Sequence, residues 1–421
     1  MKTTALRLYG RNDLRLESFD LPELKENEVL ADVVTDSVCM STHKAVLQGA
    51  EHKRVPKNVS SMPIIVGHEQ CGTILKVGEA LRDRFQVGTK YSLQPAVNYP
   101  GRETEAVGYS YRYVGGDATK VIIPTEVIEM DCLIPYRGDS FFNASLSEPI
   151  SCILGALHSQ YHVKPNEYAH EMGIKDKGSL ALLGGAGPMG LGFIDLLLNG
   201  NKRPDLVVVT DIDDVRLRRA ESLFPGAEAA RKGITLHFIN TSRADAIQDL
   251  MALTGGRGYD DVFVMVPVSS VAEQGSQLLG HDGCLNIFAG PTDKAFGAFV
   301  NLYNAHYNRH HIMGSTGGNS NDMRDALDLI GRGVINPAVM ITHIGGLDSA
   351  GDTIQNLPNI PGGKKLIYTG ISLPLTALED FKDKGSRNPL LKELAIITKK
   401  TKGIWSKEAE DYLLRHGKGI Q

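Results

Sequence analysis

Five apolar runs between residues 179 and 290 constrain this chain more than anything else in it: SLALLGG, DLVVVTD, ITLHFIN, DDVFVMV and CLNIFAG follow one another with helical segments between them. A strand that is apolar at nearly every position must be covered on both faces, and helices interleaved in sequence supply that cover. The segment therefore reads as a parallel α/β sheet. Before about Ser147 the pattern differs. TALRLY, LRLESF, EVLADVVT, CGTILKVG and TKVIIP are short runs broken by Gly, Asn, Asp and Pro, as in an antiparallel, barrel-like domain. At 421 residues the chain exceeds one ordinary core, so at least two domains are expected.

Beyond Ile371 the helix signals become local. Thr376 with Glu379 fits a capping box, Asn388 before Pro389 fits an N-cap and first helical position, and Ser406 opens a third helix that Gly417 would stop. Leu390, Leu391, Leu394 and Ile397 give the middle helix one apolar face, so this tail reads as docked helices.

Composition narrows the function classes. Lys and Arg total 45 against 49 Asp and Glu, and a net charge of -4 offers nucleic acid or an anionic membrane no broad attraction. A local basic pocket can still hold a phosphate. The first twenty residues contain no long apolar stretch, so neither signal peptide nor membrane anchor is read there, and the expected location is the cytoplasm. The five cysteines, at 39, 71, 132, 152 and 284, are odd in number and dispersed, which argues against a disulfide framework.

The stretch LALLGGAGPMGLG, Leu180 to Gly192, puts Gly185, Gly187 and Gly190 in G-x-G-x-x-G spacing after a strand and at the start of a helix. Gly185 is expected to make the tight turn, Gly187 to let backbone approach a pyrophosphate, and Gly190 to let helix and sheet pack closely. Pro188 suits the first helical turn, where no N–H is needed. The next strand ends at Asp211, where a carboxylate can accept from the ribose hydroxyls of NAD and repel the 2′-phosphate of NADP. Arg216, Arg218 and Arg219 lie just beyond it, so NAD(H) is favoured and NADP(H) remains possible.

Metal-ligand chemistry occurs at Cys39 in VCMSTHK, at His68 and Glu69 in VGHEQCG, and at Glu148 in SLSEP. Each suits a divalent cation. Spacing this wide carries no motif by itself, and each residue alone fits an ordinary core or turn position.

Taken in order with the glycine pattern, these features resemble the zinc-containing medium-chain dehydrogenases over roughly residues 1–370. The resemblance implies a GroES-like β-barrel catalytic domain (residues 1–150, resumed at 313–371), a Rossmann NAD(P)-binding domain (151–312) and, beyond the family pattern, a C-terminal helical extension (372–421). It implies one catalytic Zn2+ on Cys39, His68 and Glu148, with Glu69 either a ligand or a partner of the ligands. It makes Ser41 the first hydroxyl of a proton relay, with Thr42 and His43 next; for these two, capping the helix after Cys39 is the competing reading. It places Met189 in the cofactor turn, and Ser315 and Thr316, from HIMGSTGG, beside the nicotinamide. Relatives with a second, structural zinc hold it on four closely spaced cysteines. Here NYPGRETEAVGYSYRYVGG stands in that place, so no structural zinc is expected, and the Tyr-rich stretch either faces substrate, faces another subunit or packs on itself.

Glutamate at the third ligand position is similar to the polyol branch, typified by sorbitol dehydrogenase. The tail, with LPNIPGGKKLIYTG, resembles the L-sorbose-1-phosphate reductase branch, implying reduction of L-sorbose 1-phosphate to D-glucitol 6-phosphate. The implied partner is a polyol or ketose phosphate, and the implied assembly a homo-oligomer, dimer or tetramer. By charge alone Arg112, Arg309, His310 and His311 are candidate phosphate donors. Three other readings stay open: an unphosphorylated polyol (sorbitol/threonine-type) dehydrogenase, a metal-free quinone reductase-like enzyme, and a non-catalytic nucleotide-binding protein on the same fold.

Overall fold

A computed structural model describes residues 1–242 and 246–420. The chain divides into two compact units: Met1–Glu148 with Asn319–Gly331 and Pro337–Gln421, and Pro149–Gly318 with Arg332–Asn336.

The first unit is mainly antiparallel. Among the described residues it holds a nine-stranded sheet and a three-stranded one. Three adjacent strands of the larger sheet matter most. Thr35–Val38 pairs antiparallel with Gln70–Val77 through Thr35 opposite Cys71 and Asp36 opposite Gln70. On its other side it pairs antiparallel with Lys364–Tyr368, Val38 opposite Lys365. The end of the first strand therefore lies beside the starts of the other two. Cys39, His68, Glu69 and Lys364 flank that junction.

The helical tail belongs to the same unit. Leu394, Ile397, Trp405 and Leu413 pack with Phe142, Leu146, Ile341 and Tyr368 in one core. Asn388 caps the helix Pro389–Lys400 by accepting from the N–H groups of Leu390 and Leu391, and Ser406 caps Lys407–His416 by accepting from Ala409. Thr376 does not form the expected capping box. It lies in a two-residue strand, paired with Ile344, and its hydroxyl donates to the carbonyl of Pro374. Strand pairing engages the backbone that a cap requires.

Glu410 anchors this tail. Fully buried, its carboxylate accepts from the N–H groups of Phe141 and Phe142, at 2.8 and 2.9 Å, and from the Tyr368 hydroxyl at 3.0 Å, while Trp405 Nε1 donates to that hydroxyl. Burial outweighs the three donors and pushes the Glu410 carboxyl up to about 7. A carboxyl raised in the folded state binds its proton more tightly there than in the unfolded chain, so its contribution is full below the unfolded pKa of about 4.5 and is lost as pH rises through 7. The expected result is a stability difference between pH 5 and pH 7.5 that Glu410→Gln reduces by about 2 kcal/mol. Urea unfolding of both proteins at the two pH values measures it; equal pH dependence would exclude the carboxyl as its source.

The second unit carries six parallel strands in the order Thr235–Asn240, Leu206–Asp211, Ser179–Leu183, Tyr259–Val264, Leu279–Ile287 and His311–Gly314. The five apolar runs are five of these strands, joined by an edge strand that starts at His311. Connections run outward in both directions from Ser179–Leu183, and this reversal opens a crevice at the carboxyl ends of the strands. The glycine loop follows that strand directly. Arg309, His310 and His311 sit instead at the amino end of the edge strand, the opposite end of the parallel sheet, where His311 Nε2 contacts Asp282 Oδ1 at 2.8 Å. They are not placed with the glycine loop.

Among the described residues no helix is long and apolar enough to cross a membrane.

Candidate active site

The sheet junction in the first unit brings Cys39, His68 and Glu69 together. One ligand atom from each lies within 4.8 Å of the others. Cys39 immediately precedes the helix Met40–Gln48, with its carbonyl accepting from the N–H groups of Thr42 and His43. His68 and Glu69 precede Gln70–Val77. Both are buried.

Each member is held by neighbours. Ser41 Oγ donates to Cys39 Sγ at 3.1 Å and lies 3.4 Å from His68 Nε2, while Thr42 Oγ1 contacts His68 Nδ1 at 3.1 Å. Thr42 thus occupies one ring nitrogen and leaves the other facing Ser41 and Cys39. His43 is buried elsewhere, its Nδ1 donating to the carbonyl of Ile354 at 2.7 Å. Glu69 has both oxygens engaged, one by the Ser37 hydroxyl and one by the Lys364 ammonium, and its backbone N–H donates to Asp36 at 2.9 Å.

Burial governs the electrostatics. It holds the His68 imidazole below its ordinary value, against the pull of Glu148 and Glu69, so the ring is neutral and able to ligate. It pushes the Cys39 thiol up, opposed by Lys364 and by the Ser41 hydrogen bond. Glu148, in the first turn of the helix Ser147–Ser159, is buried beside the trio. Burial pushes its carboxyl up to about 7; His68 works against this and Glu69 and Cys39 add to it. A thiol and two carboxyls around one ammonium, Lys364, form a set whose anionic state a bound divalent cation would favour.

Two residues here escaped the sequence. Lys364 heads an ordinary-looking strand, and only its alternation with Lys365, which instead donates to the carbonyls of Ile360, Pro361 and Gly363, marks it. Tyr109 comes from the Tyr-rich stretch. Its hydroxyl donates to Ser41 Oγ at 2.8 Å and lies 3.4 Å from His68 Nε2, and burial holds the phenol well above its usual value, hence protonated. Nothing in the sequence separates it from Tyr111 or Tyr113.

In the second unit the loop after Ser179–Leu183 turns at Gly184, with φ 68°, not at Gly185 as the spacing predicts. Gly185 donates its N–H to the Thr210 carbonyl at 2.7 Å. The helix Pro188–Asn199 starts at Pro188 and Met189 with Gly187 as N-cap and no side-chain cap bond, as an anion-receiving helix end requires. Space above Gly187 is open, whereas a Cβ at Gly190 would fall 1.7 Å from the Gly185 carbonyl oxygen. Asp211 closes the next strand. Its carboxylate accepts from Ala186, Ile212 and Asp213 N–H groups, which joins the strand end to the glycine loop. Arg216 lies 3.6 Å from Asp213. Ser315 and Thr316 follow the edge strand at this same carboxyl end, and Ser315 Oγ donates to Asn286 at 3.2 Å.

Comparison with known proteins identifies the family. Residues 25–130 match the alcohol dehydrogenase GroES-like domain, and residues 188–332 match the zinc-binding dehydrogenase family. The chain is 49% identical to mannitol-1-phosphate 5-dehydrogenase of Aliivibrio fischeri over 98% of its own length and 97% of that protein's. It is 46% identical to L-sorbose 1-phosphate reductase of Klebsiella pneumoniae, over 99% and 98%. A structure from Sinorhizobium meliloti, named as a zinc-binding dehydrogenase and solved with NADP, superposes with a TM-score of 0.71 at 21% identity, over 88% of this chain and all of that one.

Proposed function

The chain belongs to the zinc-type medium-chain alcohol dehydrogenases, and from that premise we propose that it interconverts a ketose phosphate and a polyol phosphate with NAD(H), the leading pair being L-sorbose 1-phosphate and D-glucitol 6-phosphate. The observation that carries the chemistry is the Cys39–His68–Glu69 cluster, half-buried at Cys39 and buried at the other two. Two nearly full-length relatives named for phosphorylated substrates support the substrate class.

Thiol, imidazole and carboxylate at this separation fit Zn2+. Cys39, His68 and a carboxylate would hold it, from Glu69 as the cluster stands or from Glu148 beside it. When bound, zinc supplies Lewis acidity to the substrate oxygen and NAD(H) supplies or accepts the hydride. No cysteine lies between Cys71 and Cys132, so one zinc per chain is expected.

The protein's own groups orient and exchange a proton. Thr42 fixes the His68 ring, while Ser37 and Lys364 hold Glu69. Ser41 Oγ, half-buried beside both Cys39 and His68, is placed to accept the proton of a substrate hydroxyl during oxidation while releasing its own to solvent, and to run the exchange in reverse during reduction. Tyr109 stays a phenol and keeps Ser41 oriented by donating to it. Asp211 disfavours a 2′-phosphate at the strand end, which makes NAD the expected cofactor.

The test is oxidation of NADH and NADPH with L-sorbose 1-phosphate, D-fructose 6-phosphate, D-fructose 1-phosphate and unphosphorylated L-sorbose. The expected result is faster turnover of NADH and a kcat/KM at least about 100-fold higher for one phosphorylated ketose than for sorbose. Equal kcat/KM with and without phosphate would sink the sugar-phosphate assignment and leave a plain polyol dehydrogenase.

A further inference from the structure

A phosphorylated substrate needs a cation where its phosphate lies, and the first unit holds one beside Tyr109, next to the Cys39–His68–Glu69 cluster. Arg54 Cζ lies 5.4 Å from the centre of the Tyr109 ring, the same tyrosine whose hydroxyl reaches Ser41 and His68. Of the five other arginines of this unit that lie over aromatic rings, Arg7, Arg15, Arg84 and Arg102 each pair with a carboxylate, and the fifth, Arg112, is exposed. Arg54 pairs with none among the described residues. It is half-buried, so its charge is partly stripped of water with nothing to balance it. Its backbone is fixed, since its carbonyl accepts from Ser110 Oγ at 2.7 Å and its N–H donates to His52 Nδ1 at 3.3 Å.

His52 completes the arrangement. Its ring stacks on Tyr109 at 5.7 Å with an interplanar angle of 15°. Burial, with the charges of Arg54, Lys53 and Lys44 adding to it, pushes its pKa down to about 4, so the ring is neutral. Arg112, the candidate that charge alone picked out in this unit, is exposed over Tyr113, which packs on the separate Leu21, Leu30 and Ile122 patch.

We infer that Arg54, with His52 beside it on the Tyr109 ring, is the phosphate-binding arm of the substrate site and sets the preference for phosphorylated over free polyols. The inference rests on the sugar-phosphate reading above. A guanidinium offers a phosphate two parallel charge-assisted hydrogen bonds, and the neutral His52 ring, whose Nδ1 accepts from the Arg54 N–H, keeps Nε2–H as a further donor. Phosphate on the carbon next to the carbonyl and phosphate at the far end of the chain present the same chemistry to such an arm, and the substrates of the test separate them.

The experiment compares wild type, Arg54→Met and Arg54→Lys. Two quantities are read: the ratio of kcat/KM for each ketose phosphate to that for its unphosphorylated ketose, and the calorimetric Kd of D-glucitol 6-phosphate. In Arg54→Met the ratio is expected to fall about 100-fold and the Kd to weaken by a similar factor; Arg54→Lys, which keeps charge but loses the fork, should fall between. The ketose phosphate whose ratio collapses identifies the phosphate position. If wild type prefers phosphorylated substrates and both variants keep that ratio and Kd, Arg54 only braces Tyr109, and the assignment is overturned while the sugar-phosphate reading stands. If wild type shows no phosphate preference, both fall.

Discussion

Cys39→Ser is expected to lower zinc content from about one per chain to below half and to reduce kcat/KM for the preferred ketose by about 1000-fold or more. A serine hydroxyl keeps the size but does not ionise near neutral pH, so the cluster of Cys39, His68 and Glu69 loses its thiolate. Stabilising a developing alkoxide by a Lewis acid is worth several kcal/mol, and about 4 kcal/mol corresponds to three decades of rate. The Ser41 hydroxyl, which donates to Cys39 Sγ, would meet a neutral hydroxyl in place of a thiolate. Elemental analysis and steady-state kinetics on the same preparation check both halves. A variant with full zinc and undiminished kcat/KM would remove Cys39 from the site; full zinc with low activity would give it a role other than holding metal.

The strands also explain how much of this could be read in advance. The glycine loop and Asp211 lie within one strand–turn–helix–strand unit, so local order determines their arrangement, and spacing alone located them. Cys39, His68 and Lys364 converge only because Thr35–Val38 is flanked by Gln70–Val77 and Lys364–Tyr368 in a definite antiparallel register. Residue spacing does not encode register between strands so far apart, so the metal cluster rested on resemblance and Lys364 was invisible. Tyr109 was hidden for a related reason: one of several tyrosines in a loop gains its role from where tertiary packing sends it. The turn glycine was misread by one position because the spacing pattern counts from the residue after the one in left-handed conformation. The Thr376 cap failed where strand pairing claimed the backbone first.

Gly190→Ala is expected to damage the second unit itself, and the comparison with Gly187→Ala separates architecture from ligand binding. A Cβ at Gly190 would sit 1.7 Å from the Gly185 carbonyl oxygen and 2.5 Å from its carbon, and both are backbone atoms of a turn that cannot rotate away as a side chain could. Relief requires moving the helix Pro188–Asn199 off the sheet, which uncovers the apolar contacts of Leu191, Phe193 and Ile194. Overpacking of this kind costs about 3 kcal/mol or more, equivalent to a fall in Tm of about 10 °C in a unit of this size. NADH affinity should fall with it, by about 100-fold, because the same shift withdraws the helix N-terminus from the pyrophosphate. At Gly187 a Cβ meets nothing within 4 Å, so Gly187→Ala should melt within about 2 °C of wild type and still weaken NADH, its methyl occupying space the phosphate needs. Scanning calorimetry and NADH fluorescence titration of both variants distinguish the two effects. Equal melting temperatures for Gly190→Ala and wild type would show that helix and turn are not held at the distance on which the cofactor assignment depends.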